Sequence, residues 1–145
     1  HALAAADLNP LELDLILLGS LTNDSLCPNT ASLIADALGA RNAAAIDINS
    51  ACTGFLYGLH IGTNLIRTGA HQKILVIGGE FISHYMNWSN RDVAVLFGDA
   101  CGAAVIEARP INFIPRYTSR KSGNCEVYCN ALQLKLIWRE SLGSD

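Results

Sequence analysis

The chain has 145 residues, of which 50% are hydrophobic and 16% charged, and its formal net charge is -3. This length and composition predict one compact domain and argue against a disordered chain. The scattered basic residues argue against a nucleic-acid surface, so no nucleic-acid partner is predicted. No apolar run approaches the roughly 18 residues of a membrane span, so we expect no membrane span.

The first ten residues, HALAAADLNP, lack the basic start and long apolar core of a signal peptide. They are typical of a helix already under way, and we expect the chain to be a piece of a longer, cytoplasmic protein. Without a secretion signal, five irregularly spaced cysteines indicate reduced thiols. Cys125 and Cys129 have no second pair or nearby histidine to complete a zinc site, so no metal is predicted. No motif of the sequence predicts a cofactor either.

Short apolar runs that end in glycine or polar residues predict strands, and apolar residues at helical spacing predict helices. Gly39 and Gly69 are placed to end the two helices. The predicted elements in chain order are a strand at Leu13–Gly19, a helix at Thr30–Leu38, a strand at Ala43–Ile48, a helix at Thr53–Arg67, a strand at Lys73–Gly78, and two apolar runs at Val93–Phe97 and Ala103–Glu107 that flank a turn at GDACG.

Strands that alternate with helices predict βαβ units, and therefore an α/β fold with a largely parallel sheet covered by helices on its faces. In the second helix the predicted apolar face consists of Phe55, Leu56, Leu59, Gly62 and Ile66. After Ala108 the pattern changes, because periodicity is poor there apart from ALQLKLIW. We therefore divide the chain into residues 1–108 and a divergent, poorly specified tail at residues 109–145.

The stretch AIDINSACTGFLYGL places Cys52 at a corner of small residues between a predicted strand and a predicted helix. Unpaired N–H groups and the dipole at a helix start stabilise an anion, and the thiolate is the nucleophilic form of cysteine. Such a corner also offers a backbone N–H to an acyl oxygen, as in the nucleophile elbow of hydrolases. The alternative is a packed core thiol, since free cysteine is often buried. Local chemistry leaves both open.

Five stretches over about residues 3–107 form an ordered set: DLNPLELDLILLGS, CPNTASLIADALGA, DINSACTGFLYGL, KILVIGGE and NRDVAVLFGDACGAAVIE. They resemble, in the same order, segments of the β-ketoacyl-acyl-carrier-protein synthase III family, which has a thiolase-like fold. In this resemblance Cys52 stands at the position of the family's acyl-accepting cysteine.

The resemblance implies the N-terminal half of a thiolase-like layered α-β-α protein with a mostly parallel mixed sheet. It implies an acyltransferase in which Cys52 is acylated by acyl-CoA and the acyl group then condenses with malonyl-acyl-carrier protein. That reaction belongs to fatty-acid biosynthesis, and the family is a homodimer. Alternatives are another thiolase-like synthase, of the type III polyketide or hydroxymethylglutaryl-CoA type, or a catalytically inert fragment.

The chain departs from the family in its missing second half. The family assigns decarboxylation to a histidine and an asparagine well over a hundred positions after the cysteine, whereas 93 residues follow Cys52 here. None of the four histidines stands at a matching position, so no histidine receives a catalytic role; they are His1, His60, His71 and His84.

Two smaller departures lie near the motifs. Cys27 stands where the family commonly has an aromatic residue that reaches into the partner's acyl pocket. Ala100 and Cys101 replace the usual glycine and alanine of the FGDGAG segment, and Ala100 would be strained if that position needs a positive φ. Asp99 is expected to anchor backbone groups rather than to transfer protons, and Arg91 and Asp92 are expected to form a structural pair.

Overall fold

The computed structural model describes residues 1–108 and 133–136. Within them the short three-ten turns are Pro10–Glu12, Ala51–Thr53 and Ile82–Tyr85. The helices are α1 (Ala2–Ala6), α2 (Thr30–Leu38), α3 (Gly54–Arg67) and α4 (Arg91–Ala94), and the strands are β1 (Leu15–Gly19), β2 (Ala44–Ile48), β3 (Lys73–Glu80), β4 (Ala100–Glu107) and β5 (Gln133–Leu136).

The strands form one mixed sheet in the order β2-β1-β3-β4-β5. Strand β1 pairs in parallel with β2 and with β3, as expected for strands joined by α2 and α3. Strand β4 runs antiparallel to β3 along eight residue pairs, and β5 runs antiparallel to β4. Four of the five strands therefore point the same way, which confirms the predicted mostly parallel mixed sheet.

Side chains alternate between the two faces of the sheet and build two hydrophobic clusters. One face holds Ile16, Leu18 and Leu75, against which α1 and α2 pack. The other face holds Leu17 and Val76 under α3. Because β1 is covered on both faces, all five of its residues are buried, which explains the unbroken apolar run LILLG. The layers α-β-α agree with the predicted architecture.

Helix α3 lies against the sheet through small residues at four-residue spacing. Gly54, Gly58 and Gly62 are buried, whereas Leu56, predicted for the apolar face, is 65% exposed. A Cβ at Gly62 would come within 2.6 Å of Ile106 Cδ1, so glycine allows the close approach. The predicted face is therefore right for Phe55, Leu59, Gly62 and Ile66 and wrong for Leu56, and Gly54 and Gly58 belong to it as well.

The apolar run at Val93–Phe97 does not form a strand. Residues Arg91–Ala94 form α4, and Val95 follows it with 81% of its surface exposed. The predicted turn at GDACG is also wrong, because Ala100 and the two residues after it belong to β4. Ala100 has no positive φ, so the expected backbone strain is absent.

The predictions for Cys125 and Cys129 and for the divergent tail concern residues outside the described ranges. Cys125 and Cys129 lie there, and so does most of the divergent tail, of which β5 alone is described. Within the described residues, no helix combines the length and apolar character needed to cross a lipid bilayer.

Candidate functional site

Cys52 lies on a tight corner between β2 and α3. After β2 ends at Ile48, the chain makes a three-ten turn over Ala51–Thr53 and enters α3 at Gly54. Ala51 has a φ of 49°, in the left-handed region that L-residues other than glycine, asparagine and aspartate rarely adopt. Strain of this kind persists when the surrounding structure fixes the backbone, and here it sits directly before the thiol.

A backbone contact with β1 fixes the position of this corner. A Cβ added to Gly19, the last residue of β1, would lie 2.3 Å from the carbonyl carbon of Gly54. A Cβ added to Gly54 would lie 2.8 Å from Gly19 Cα. Only two glycines permit this approach, so the first turn of α3 rests on the end of β1 without intervening side chains.

Cys52 is exposed. A nucleophile must be accessible to its substrate, whereas a packed core thiol would be buried. The Thr53 amide donates to Ser50 O at 3.2 Å, and the Gly54 amide donates to Ala51 O. Within the described residues the Cys52 amide has no acceptor. A free amide and the start of a 14-residue helix beside the sulfur can stabilise a thiolate or an acyl oxygen.

A carboxylate on β2 holds the start of α2. Asp47 Oδ2 accepts from the Thr30 amide at 2.9 Å and from Asn23 Nδ2 at 2.9 Å, and its Oδ1 accepts from the Ala31 amide at 2.7 Å. Asn29, the N-cap residue, makes no side-chain cap bond, so Asp47 takes that role from a neighbouring strand. The loop 21–29 is thereby tied to the strand that precedes Cys52.

A second carboxylate, at the end of β3, holds the loop after β1. Glu80 Oε1 accepts from the Leu21 amide at 3.1 Å, and its Oε2 accepts from Thr22 Oγ1 at 2.9 Å. Thr22 Oγ1 in turn accepts from the Phe81 amide at 2.8 Å. These bonds join segments about 60 residues apart in the chain, just beyond the carboxyl ends of β1 and β3. The Cys52 corner follows the carboxyl end of the parallel strand β2, so it lies at the same end of the sheet.

Asp99 anchors the backbone, as predicted. Its carboxylate accepts from the Ser83 amide at 2.8 Å and from Ser83 Oγ at 2.6 Å. The hydrogen bonds from the Ser83 side chain and amide lower the pKa of Asp99 below its ordinary value. An ionised carboxylate that accepts two hydrogen bonds from Ser83 holds the segment after β3 in place. By contrast, the expected pair of Arg91 and Asp92 does not form an ion pair.

His60, His71 and His84 make their side-chain contacts with residues other than Cys52. The His84 ring stacks on Phe81 and meets Tyr85 edge-on, with ring centroids 5.9 and 5.3 Å apart respectively. His60 contacts Asn64 along α3, and His71 Nδ1 lies 3.4 Å from Asp14 Oδ1. No histidine contact with Cys52 is present in the described part of the chain, so none supplies a base there.

A cavity of about 430 Å³ opens between α2 and the ends of β3 and β4. It is lined by Glu80, Asp99 and Cys101, whereas Cys52 lies outside it. Cys27 and Cys101 are exposed free thiols, like Cys52. Among the described residues, no group of His, Cys, Asp or Glu is arranged to hold a metal ion.

The sequence predicts that Cys52 lies at a corner between a strand and a helix, but it does not predict the features that hold the corner in place. The positive φ of Ala51 leaves no signal in a string of small residues. The contact between Gly19 and Gly54 joins residues far apart in sequence, although each glycine is visible at the end of a strand or the start of a helix. The roles of Asp47 and Glu80 depend on which strands are neighbours, which only the topology reveals.

The fold has close counterparts among solved structures. The 3-oxoacyl-[acyl-carrier-protein] synthase III of Aquifex aeolicus superposes with a TM-score of 0.72 at 44% sequence identity. The superposition covers 73% of this chain and 34% of that one. The priming β-ketosynthase of the R1128 polyketide pathway superposes with a TM-score of 0.71 at 35% identity, over 73% and 32%. These structures define the class: an α/β protein of thiolase-like fold.

The relatives by sequence are more specific. The family model of 3-oxoacyl-[acyl-carrier-protein] synthase III matches residues 46–119, slightly more than half of the chain. A β-ketoacyl-[acyl-carrier-protein] synthase III of Vibrio vulnificus is 50% identical over 73% of this chain, and one of Desulfitobacterium hafniense is 48% identical over 74%. The chain belongs to the 3-oxoacyl-[acyl-carrier-protein] synthase III family. It spans 29% and 32% of the lengths of these two relatives.

Proposed function

We propose that this chain carries the acyl-accepting cysteine of a β-ketoacyl-acyl-carrier-protein synthase III, and that this cysteine is Cys52. The observation that supports the proposal is the corner itself. An exposed thiol follows a strained residue, precedes a long helix and has a free amide of its own. Neither of the other two described cysteines, Cys27 and Cys101, lies at the start of a helix.

The first half-reaction follows from this geometry. The Cys52 thiolate attacks the carbonyl carbon of an acyl-CoA thioester and forms a new C–S bond. The carbonyl oxygen becomes negative in the tetrahedral intermediate, and the Cys52 amide is available as one donor to it. The intermediate collapses with cleavage of the bond to CoA sulfur, and CoA leaves as a thiolate that takes up a proton. The acyl group then remains on Cys52 as a thioester.

The second half-reaction is condensation with malonyl-acyl-carrier protein, which loses CO₂ to give the carbanion that attacks the acyl-cysteine. The resemblance assigns its oxyanion donors to a histidine and an asparagine of the family's second half. After Ala108 this chain contains no histidine. We therefore propose that the 145-residue chain performs acylation and that condensation requires further residues. The proposed setting is fatty-acid biosynthesis in the cytoplasm, with the complete protein acting as a homodimer.

Mass spectrometry after incubation with acetyl-CoA and with octanoyl-CoA tests the proposal. We expect a single acyl adduct on Cys52 that disappears in Cys52→Ala. The matched controls Cys27→Ala and Cys101→Ala, which remove the other described exposed thiols, should retain the adduct. Adducts spread evenly over all cysteines, or an undiminished adduct in Cys52→Ala, would contradict the proposal and favour an inert fragment.

A kinetic measurement separates the two half-reactions. When the purified chain is given acyl-CoA and malonyl-acyl-carrier protein, we expect acyl-cysteine to accumulate without β-ketoacyl product. Steady product formation would show that our account of the second half-reaction is wrong. Replacing malonyl-acyl-carrier protein by malonyl-CoA or acetoacetyl-CoA tests the alternative synthases, because turnover with either free CoA ester would favour the type III polyketide or hydroxymethylglutaryl-CoA type.

A further inference from the structure

Asn49 differs from the other described asparagines because its side-chain amide has no hydrogen-bond partner. In seven of the eight asparagines among the described residues, the side chain donates or accepts a hydrogen bond; these are Asn9, Asn23, Asn29, Asn42, Asn64, Asn87 and Asn90. Asn49 makes no such bond within the described part of the chain, although an amide side chain offers both donors and an acceptor. It is exposed, in the irregular backbone between the end of β2 at Ile48 and the turn at Ala51–Thr53.

The residue after Asn49 favours a reaction of this free amide. Asparagine is a chemically labile residue, because the backbone nitrogen of the following residue can attack its side chain and close a five-membered succinimide ring. A small following residue leaves that approach open. Ser50 is small, and its amide donates to no acceptor among the described residues. By contrast, the exposed Asn87 precedes the bulky Trp88, and its Oδ1 accepts from the Ser89 amide at 3.1 Å.

We propose that Asn49 is a deamidation site, at which hydrolysis of the side-chain amide makes Cys52 less reactive. The Ser50 nitrogen forms a bond to Asn49 Cγ and loses its proton. The bond from Cγ to the side-chain nitrogen breaks, and this nitrogen leaves as ammonia. Water then opens the succinimide at one of its two carbonyl carbons. The product is aspartate or isoaspartate, so a neutral amide has become a carboxylate and nothing has been oxidised or reduced.

The new carboxylate lies close to the thiol along the chain. Residues three apart span at most about 11 Å, and a nearby anion disfavours a second one, so less of Cys52 is present as the nucleophilic thiolate. Isoaspartate also lengthens the backbone directly before the corner. We expect the alkylation of Cys52 at neutral pH and low salt to become about two- to fivefold slower. The meaning of this loss for acyl transfer rests on the proposed function of Cys52, whereas the modification itself does not.

Peptide mass mapping of the full chain, kept folded at mildly alkaline pH, tests the site. We expect the mass change of an NH₂-to-OH exchange to accumulate several-fold faster at Asn49 than at Asn87, with separable aspartate and isoaspartate peptides. The matched variant Asn49→Gln should abolish the modification at this position, because glutamine would have to close a less favourable six-membered ring. Accumulation at Asn49 that is no faster than at Asn87 overturns the proposal.

The rate of alkylation by iodoacetamide tests the effect on the thiol. Chain aged in this way and fresh Asn49→Asp should both react about two- to fivefold more slowly at Cys52 than fresh parent chain, and added salt should reduce the effect in Asn49→Asp. Aged Asn49→Gln should keep the rate of fresh Asn49→Gln. Cys101 is the internal control, because two strands separate β4 from β2 in the sheet.

Each outcome of the alkylation experiment decides the matter. Slower reaction of Cys52 in the aged chain supports the proposal, and slowing without a matching effect in Asn49→Asp assigns it to the isoaspartate backbone. An unchanged Cys52 rate in the deamidated chain, or equal slowing at Cys101, overturns the proposal. Because iodoacetamide replaces acyl-CoA in this test, a failure of the proposed acylation would leave the result for Asn49 intact, and the two failures are distinguishable.

Discussion

The contact between Gly19 and Gly54 makes a strong prediction about stability. In Gly19→Ala the new Cβ would lie 2.3 Å from the Gly54 carbonyl carbon, whereas ordinary contacts begin at 3.4 Å, a shortfall of 1.1 Å. The atoms it meets belong to the backbone and cannot rotate away, so β1 and α3 must separate. Overpacking of this kind costs about 1–3 kcal/mol, and the larger figure applies because no side chain can yield.

The matched control is Gly102→Ala, which is also a glycine-to-alanine change within a strand. No heavy atom lies within 4 Å of the Cβ that would be added at Gly102. Alanine in a strand gains about 0.5–1 kcal/mol over glycine through lower entropy of the unfolded chain, and this gain is common to both variants. The difference in free energy of unfolding between them therefore isolates the contact, and we expect Gly19→Ala to be less stable by about 2 kcal/mol or more.

Urea denaturation followed by circular dichroism measures this difference. With a slope of about 1–3 kcal/mol per molar urea, a 2 kcal/mol loss lowers the midpoint by about 1 M. The alkylation rate of Cys52 provides a second readout, because displacing the first turn of α3 changes the surroundings of the thiol. Equal midpoints for Gly19→Ala and Gly102→Ala would refute the claim that backbone contact places the corner.

Three further predictions concern polar groups. Asp47→Ala removes two hydrogen bonds at the start of α2 and one to Asn23, and it should lower the free energy of unfolding measured by urea denaturation by about 2 kcal/mol. Asp36→Ala, at an exposed position of the same helix, should cost little. The pKa of Asp99 is lowered in the folded chain, so the ionised carboxylate stabilises the fold above the ordinary aspartate pKa of 3.8, and this stabilisation is lost as the pH falls through the lower folded pKa. Ser83→Ala removes the hydrogen bond that lowers the pKa and should therefore make the melting temperature fall less steeply below pH 4. An unchanged fall would contradict this prediction. Ser50 Oγ is buried without a partner in the described residues, so Ser50→Ala should leave the melting temperature equal or slightly higher, and a clear decrease would indicate a missed hydrogen bond.

The sequence predicted the elements whose signals are local. Helix α2 begins and ends where its spacing indicated, with Gly39 in the left-handed conformation at its end. Strands β1, β2 and β3 agree to within two residues at each end because they are apolar runs bounded by turn residues. These features depend on neighbours in the chain, which a single sequence contains.

The errors arose where burial depends on other segments. Val95 and the two residues after it form an apolar run that suits a strand, yet they are exposed in the described structure. The composition of these three residues shows that they are hydrophobic, but it does not show whether another segment covers them. Helical spacing predicts Leu56 on the packed face of α3, whereas glycines together with Ile66 form the buried part of that face. The position of Cys52 could be predicted by local chemistry, but the strain at Ala51 could not.

The placement of the thiol by glycine backbone has a consequence for how such a chain tolerates change over evolution. The corner is referenced to main-chain atoms of β1 and not to the shapes of core side chains. Substitutions among the apolar residues beneath α3 can therefore accumulate, one methyl group at a time, with little displacement of the sulfur. The core side chains under α3 can therefore vary, while the contact between Gly19 and Gly54 keeps the position of Cys52 the same.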